Sequence, residues 1–201
     1  MCLREIISDM YLYGASGHGL VIKDIVEASG DVVEGFIDDD ASLENFASLP
    51  VIHSAAELSP MIISIGSNAI RCKLANMLSC TFGTAIHPSA IVSPSATIGE
   101  GTVVMPGAII NANVRIGRHC IINTGASIDH ECVIGDFVHV APHATLCGLV
   151  HVGEGCLIGA GSSIIPCRHI GEWCVVGAGA AVVSDVVSKT TVVGVPARNF
   201  E

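Results

Sequence analysis

From Ile86 onward an aliphatic side chain recurs at every sixth residue. The series Ile86, Val92, Ile98, Val104, Ile110, Ile116, Ile122, Ile128, Ile134, Val140, Leu146, Val152, Ile158, Ile164, Ile170, Val176 and Val182 runs without a skip. Four residues after each anchor the side chain is small, as in Ala90, Thr102, Ala108, Cys120, Ala126, Cys132, Ala144, Cys156 and Ala180, and only Arg168 breaks the rule. Gly often follows the anchor directly, as at Gly99, Gly117, Gly135, Gly159 and Gly171. A period of six fits neither a helix, at 3.6, nor a half-buried strand, at two. It fits a chain that runs straight briefly, turns and repeats, three sides closing a triangular coil. The anchors fill the prism, the small residues point inward where space is tight, and Gly relieves the turns. Stacked at strand spacing, nearly six coils give a prism roughly 27 Å tall.

Composition agrees with this reading. Half of the 201 residues are hydrophobic but only 4 % are aromatic, so the core is built from Ile, Val, Leu, Ala and Cys. The formal charge of −10, with 9 basic against 19 acidic side chains, excludes nucleic acid as the expected partner, because phosphate backbones need clustered Lys and Arg. Every apolar stretch is soon broken by Gly, Pro, His or charge, so no membrane span is expected. Residues Met1 to Asp9 carry both signs of charge and no long apolar stretch. A cytoplasmic protein with reduced cysteines is the expectation. Cys120, Cys132, Cys156 and Cys174 fall at the small inward position and read as buried hydrophobes. No CxxC pair is present to suggest zinc.

Residues 1–83 follow another pattern. Strands are expected at Tyr11–Tyr13, Val33–Ile37 and Met61–Ile65, with helices over Leu20–Ala28 and Ala69–Leu78: a small βαβαβ, Rossmann-like unit ahead of the solenoid of residues 84–201. Gly14-Ala-Ser-Gly17-His-Gly19 after the first strand places bare N–H groups at a helix N-terminus. Asp38 lies about twenty residues on, where a ribose partner is expected. The spacing is GxxGxG and not GxGxxG, which leaves a nucleotide site and a plain turn both open. The unit is too short for a full dinucleotide fold, and a single nucleotide such as a nucleotide-sugar fits it better.

Taken together, the Gly14–Leu20 loop, Asp38-Asp39, Ile65-Gly66, the block Asp129-His-Glu-Cys-Val-Ile-Gly-Asp-Phe-Val-His139 inside the repeats, and Val193-Gly-Val-Pro-Ala-Arg198 resemble the bacterial nucleotide-sugar N-acetyltransferases. That family also includes sialic acid O-acetyltransferases. The resemblance covers roughly residues 10–199. It implies a left-handed β-helix, a homotrimer with each active site between neighbouring prisms, acetyl-CoA along the prism, and a nucleotide-sugar on the N-terminal unit. Residue by residue it implies His130 as general base and Glu131 raising its basicity. It further implies Gly148 donating its N–H to the thioester carbonyl, His139 near the acetyl end, and Ala160 and Ala178 along the CoA channel. Ser16, Gly17, His18, Asp38, Asp39 and Gly66 match the nucleotide-sugar site.

The repeat supports part of this independently. Gly148 follows His130 by one eighteen-residue coil, so the two stand as vertical neighbours about 4.8 Å apart in backbone. A base and an oxyanion donor belong close to one reacting carbon. His119 and His143 read as surface or interface residues, and His143 stands where relatives carry Gly. His151 and His169, one coil apart, should stack. Arg198 is a candidate for CoA phosphates, and no role is assigned to Arg168, expected at an inward position. The leading expectation is N-acetylation, at the 4-amino group, of a UDP-linked deoxyamino sugar. The alternatives are O-acetylation of a sialic acid or another sugar hydroxyl, a non-catalytic trimeric scaffold or sensor, and a metal-dependent anhydrase, for which no third histidine ligand is evident.

Overall fold

The computed structural model describes residues 9–200, so the reading of Met1 to Asp9 lies, but for its last residue, outside them. The chain begins as a small mixed α/β unit. Strand β1 (Asp9–Tyr13) leads into helix α1 (Gly17–Ser29), β2 (Val32–Ile37), a hairpin of β3 (Asn45–Phe46) and β4 (Leu49–Ile52), β5 (Met61–Ile63) and α2 (Asn68–Met77). The sheet order is β3-β4-β2-β1-β5, parallel except for β3. Helix α1 buries Ile22, Ile25 and Val26 at helical spacing against Leu12 and Phe36. It stops at Gly30, whose φ of 92° turns its N–H back onto the last carbonyls.

The expected βαβαβ order is corrected here. Only α1 lies between two strands of this five-stranded sheet; α2 follows β5 and leads to Phe82, which bridges Met61 in parallel, and the β3–β4 hairpin fills the connection from β2 to β5. Its turn residues, Ala47 and Ser48, take φ of 50° and 65°. They lack the Asn-Gly type of signal that marks such turns in a sequence.

The solenoid contains seventeen two-residue strands, from Ala85–Ile86 to Ala181–Val182, each starting six residues after the last. They stack into three parallel sheets in which every residue pairs with the one eighteen positions on, as Ile110 pairs with Ile128 and Ile128 with Leu146. The first face contains Ile121–Ile122, His139–Val140 and Leu157–Ile158. The second contains Ser127–Ile128 and Thr145–Leu146, and the third Val133–Ile134 and His151–Val152. Anchors and small residues together form one continuous core, with Val104, Ile128, Leu146, Ile158 and Ile164 at zero exposure. The repeat ends where Ile170 pairs with Val186 and Val176 with Val192, a coil two residues short.

The inward position tolerates Cys and Thr for a reason beyond size. The thiols of Cys120, Cys132, Cys156 and Cys174 donate to the carbonyls of Gly135, Cys147, Gly171 and Val187, and the Thr102 hydroxyl donates to Gly117. Each satisfies a turn carbonyl that the parallel ladders leave over. Burial pushes the Cys120 and Cys156 thiols up to about 12, which keeps them protonated. Arg168 departs from the expected inward placement. Its side chain lies out toward Asp185 at 3.5 Å, with Nε donating to the Pro166 carbonyl, because the irregular last coil supplies polar partners there. Among the described residues no helix is long and apolar enough to cross a membrane.

Candidate active site

The corner between the second and third faces carries the Asp129-His130-Glu131 turn. Glu131 takes a φ of 58°, and its N–H donates to the Ala112 carbonyl one coil back. Asp129 organises the turn by accepting from the His130 N–H at 2.8 Å and from Asn111 Nδ2 at 3.0 Å. Those two bonds hold its carboxyl below the usual carboxylate range. His130 Nδ1 lies 3.2 Å from Glu131 Oε2. With Nδ1–H donated to that carboxylate, the lone pair resides on Nε2. A side chain on Gly148 would come within 2.6 Å of that same Nε2, so the imidazole stands directly over the glycine. The Gly148 N–H finds no acceptor among the described residues. Beside this corner a 430 Å³ groove is lined by Ser95, Asn113, Arg115, Glu131, Leu149 and His151, among others.

A second group of residues gathers on the first face. There His139, next to the buried anchor Val140, accepts a hydrogen bond from Asn123 Nδ2 at its Nε2, 2.9 Å away. The Asn123 orientation is set by its Oδ1, which accepts from the Thr124 N–H. Burial first, then the charges of Arg71 and His18, lower the His139 pKa to about 4. His18 is lowered to about 4 by burial and Arg71, and its buried Nε2 has no partner among the described residues. Both rings are therefore neutral at pH 7. A 430 Å³ groove runs here between Gly66, Asn68 and the N-terminus of α2 on one side and His139, Leu157 and Trp173 on the other.

The remaining residues of the N-terminal unit lie at the carboxyl ends of β2, β1 and β5, where open parallel sheets bind ligands. Gly14, at φ 120°, donates its N–H to the Ile37 carbonyl, and the Ala15 N–H donates to Asp38 Oδ2 at 2.9 Å. Asp39 Oδ1 accepts from the Tyr13 hydroxyl at 2.8 Å, and burial with that bond pushes the tyrosine up to about 12. Ser16 caps α1 with no side-chain bond of its own, and Ser16, Gly17 and Gly66 are exposed. Asp38 therefore ties the glycine loop to the end of β2, while the Ser16–Gly17 surface remains open.

Ala160 and Ala178 stack, one coil apart, on the corner between the first and second faces, exposed and with N–H groups that find no acceptor among the described residues. The same corner holds His143 in a column with Gly107, Gly125, Gly161 and Gly179, all at positive φ, its exposed ring lying over Gly125. In one protomer the fold thus unites His130, Glu131 and Gly148, and separately His139, His18 and Gly66. The corner bearing His130 is the one opposite the face bearing His139.

One expectation is revised. His119 is not a surface residue: it is 1 % exposed, stacked parallel to Phe137 at 5.4 Å and edge-on to Phe82 at 4.5 Å, above a glycine, Gly101, that leaves it room. Phe82 from the N-terminal unit covers it. His143 is at the surface as expected. His151 and His169 stack with ring centres 6.1 Å apart. Among the described residues no group of three His, Cys, Asp or Glu is placed to hold a metal. Sequence reading passed over Asn123, Asn111 and, above all, Arg71. A basic residue in the first turn of α2 opposes the helix dipole, and that was the available signal.

Residues 9–78 match the PglD N-terminal domain family, and residues 95–130 and 149–183 match the bacterial transferase hexapeptide (six repeats) family. The perosamine N-acetyltransferase of Caulobacter crescentus, solved with CoA and GDP-perosamine, superposes with a TM-score of 0.92 at 36 % identity, covering 98 % of each chain. The chain belongs to the hexapeptide-repeat acetyltransferases of nucleotide-linked amino sugars. Within that family, the acetyltransferase domain of PglB from Neisseria gonorrhoeae FA1090 matches at TM-score 0.88 and 34 % identity, over 96 % of this chain and 99 % of that one. The UDP-N-acetylbacillosamine N-acetyltransferase of Bacillus subtilis is 43 % identical over 108 residues, which is 47 % of this chain and half the length of that relative. Family membership gives the solenoid its left hand, against the right-handed rule for ordinary crossovers.

Proposed function

We propose that this protein transfers the acetyl group of acetyl-CoA to the amino group, specifically the 4-amino group, of a UDP-linked deoxyamino sugar, with His130 as general base. The observation that carries the reading is the His130 imidazole standing over Gly148 with Nδ1 held by Glu131. Nε2 accepts a proton from the attacking amine as the new N–C bond forms. The Gly148 N–H, which finds no acceptor among the described residues, donates to the oxygen that becomes negative in the tetrahedral intermediate. Glu131 stabilises the imidazolium. Collapse breaks the C–S bond, and the proton held on His130 leaves with the CoA thiolate as thiol. No acyl-enzyme is needed, since among the described residues neither a cysteine nor a serine is bonded to His130.

The groove beside His139, with Ser16, Gly17, His18, Asp38, Asp39 and Gly66 at the sheet edge, takes the sugar nucleotide. Residues 1–83 form this acceptor unit and residues 84–201 the acyltransferase. Ala160 and Ala178 offer free N–H groups along the acetyl-CoA path. His130 of one prism meets the His139 groove of a neighbour in a homotrimer, because a single prism holds them apart. A cytoplasmic location accords with substrates of this kind.

The deciding experiment is thiol release from acetyl-CoA against a panel of UDP- and GDP-linked 4-amino sugars, free sialic acid and its nucleotide form. Turnover of a UDP-linked amine is expected. Turnover of a hydroxyl acceptor alone would sink the N-acetylation reading, and preference for GDP would correct the nucleotide.

A further inference from the structure

Arg71 is 1 % exposed and touches no carboxylate among the described residues. A buried cation is ordinarily paired with an anion, because its desolvation is costly. Here all five N–H groups of the guanidinium go to neutral oxygens. Nε donates to the His119 carbonyl at 2.8 Å, and Nη1 to the Ile65 and Gly66 carbonyls at 3.0 and 3.2 Å. Nη2 donates to Asn68 Oδ1 at 2.8 Å and to the Phe137 carbonyl at 2.9 Å. Asn68 completes the clamp by donating Nδ2 to the Gly155 and Cys156 carbonyls, at 3.1 and 3.0 Å. His119, Phe137 and Gly155 follow one another at eighteen-residue intervals, so the pair grips three successive storeys of the prism.

The other end of the clamp is the loop after β5. Gly66 and Asn68 form one wall of the groove, and His139, on the storey between two gripped carbonyls, forms the other. A rigid fork is the one side chain that can fix carbonyls from two domains in a single plane of contacts. A lysine reaches with a point charge and three donors, and an apolar residue with none.

We propose that Arg71 is the positioning residue of the acceptor groove, locking the Ile65–Asn68 loop onto the solenoid so that Gly66 and His139 keep one spacing around the bound nucleotide-sugar. This rests on the acetyltransferase reading for the identity of the ligand. The clamp itself does not. Its unneutralised charge has a second consequence, since the charged or titratable groups acting on His139 are Arg71 and His18, and on His18 Arg71 alone. The clamp thereby favours neutral rings in the groove it shapes.

The test compares Arg71→Lys with Arg71→Met in the full chain. Steady-state kinetics would give KM for the nucleotide-sugar and kcat, and ¹⁵N-detected titration would follow the His18 and His139 rings without substrate. Both variants are expected to raise KM for the nucleotide-sugar at least about tenfold with kcat changed less than about threefold, the mark of lost positioning in the ground state. The methionine variant should also shift both histidine titrations toward neutral pH, and the lysine variant should leave them in place. Wild-type KM in the lysine variant would overturn the proposal, as would a methionine variant that loses only thermal stability. If methionine prevents folding, the lysine variant decides alone. If no amino sugar is turned over at all, the functional reading fails while the titrations still judge the clamp.

Discussion

At the scale of single residues, the catalytic proposal turns on one imidazole and the glycine beneath it. His130→Ala should lower kcat by about 10² to 10⁴ with unchanged unfolding temperature, the usual contribution of a general base. Retained activity would remove His130 from the mechanism. Gly148→Ala tests the geometry from the other side. Its methyl would lie 2.6 Å from Nε2, so the ring must swing away. A displacement on the order of 1 Å should cost about a hundredfold in kcat, with binding of acetyl-CoA and sugar nucleotide, measured by calorimetry, largely kept. His119 offers a prediction in pH. Burial, with Arg118 and Arg71 after it, lowers its pKa from 6.5 to about 4. The unfolded chain then binds the extra proton between those values, so this residue's contribution is complete above pH 6.5 and drains away as pH falls toward 4. His119→Phe, which fits the Phe82–Phe137 stack, should flatten the fall of melting temperature over that window. A parallel curve would show that folding does not lower the His119 pKa. His130 and Gly148 were legible because the repeat fixes their spacing. His119 was misjudged because its cover, Phe82, comes from a different unit, and no period reports contacts between units.

At the scale of elements, one corner of the prism is built on a column of glycines. Gly99, Gly117, Gly135, Gly153 and Gly171 stand one above another, and a methyl on Gly135 would lie 2.7 Å from the Glu154 nitrogen of the next coil. Gly135→Ala must therefore push two coils apart, a packing cost of about 1–3 kcal/mol. Gly161→Ala faces open space and meets only its φ of +64°, a cost of about 1–2 kcal/mol. Urea unfolding of the two variants should rank them in that order, and the reverse ranking would mean that the turn, not the stacking, sets the limit. The solenoid was readable to within a residue because every strand obeys one rule seventeen times. The N-terminal unit obeys no repeated rule. Its strands at Tyr11–Tyr13 and Val33–Ile37 were visible as apolar runs, while the β3–β4 hairpin hid in two- and four-residue strands joined by Ala47 and Ser48. The clamp of Arg71 was hard to see in the same way, because four of its five acceptors are main-chain carbonyls that carry no sequence signature.

At the scale of the molecule, the triangular section itself decides what one copy can do. His130 stands on the corner opposite the first face, and the groove with His139, Gly66 and Trp173 is built on that face. The body of the prism, packed with Ile128, Val140, Leu146 and Ile158, lies between. In the homotrimer proposed above, prisms packed side by side would set one corner against the next groove and carry its imidazole to an amine held there. This makes a prediction that single variants cannot test. His130→Ala removes the base, and His139→Trp fills the groove. Each alone should be inactive. Co-expressed in equal amounts, they should recover about a quarter of wild-type activity, because random assembly leaves one interface in four with an intact corner facing an intact groove. If base and groove belonged to the same chain, every site in the mixture would carry one defect, and the activity would stay at the residual level of the separate variants.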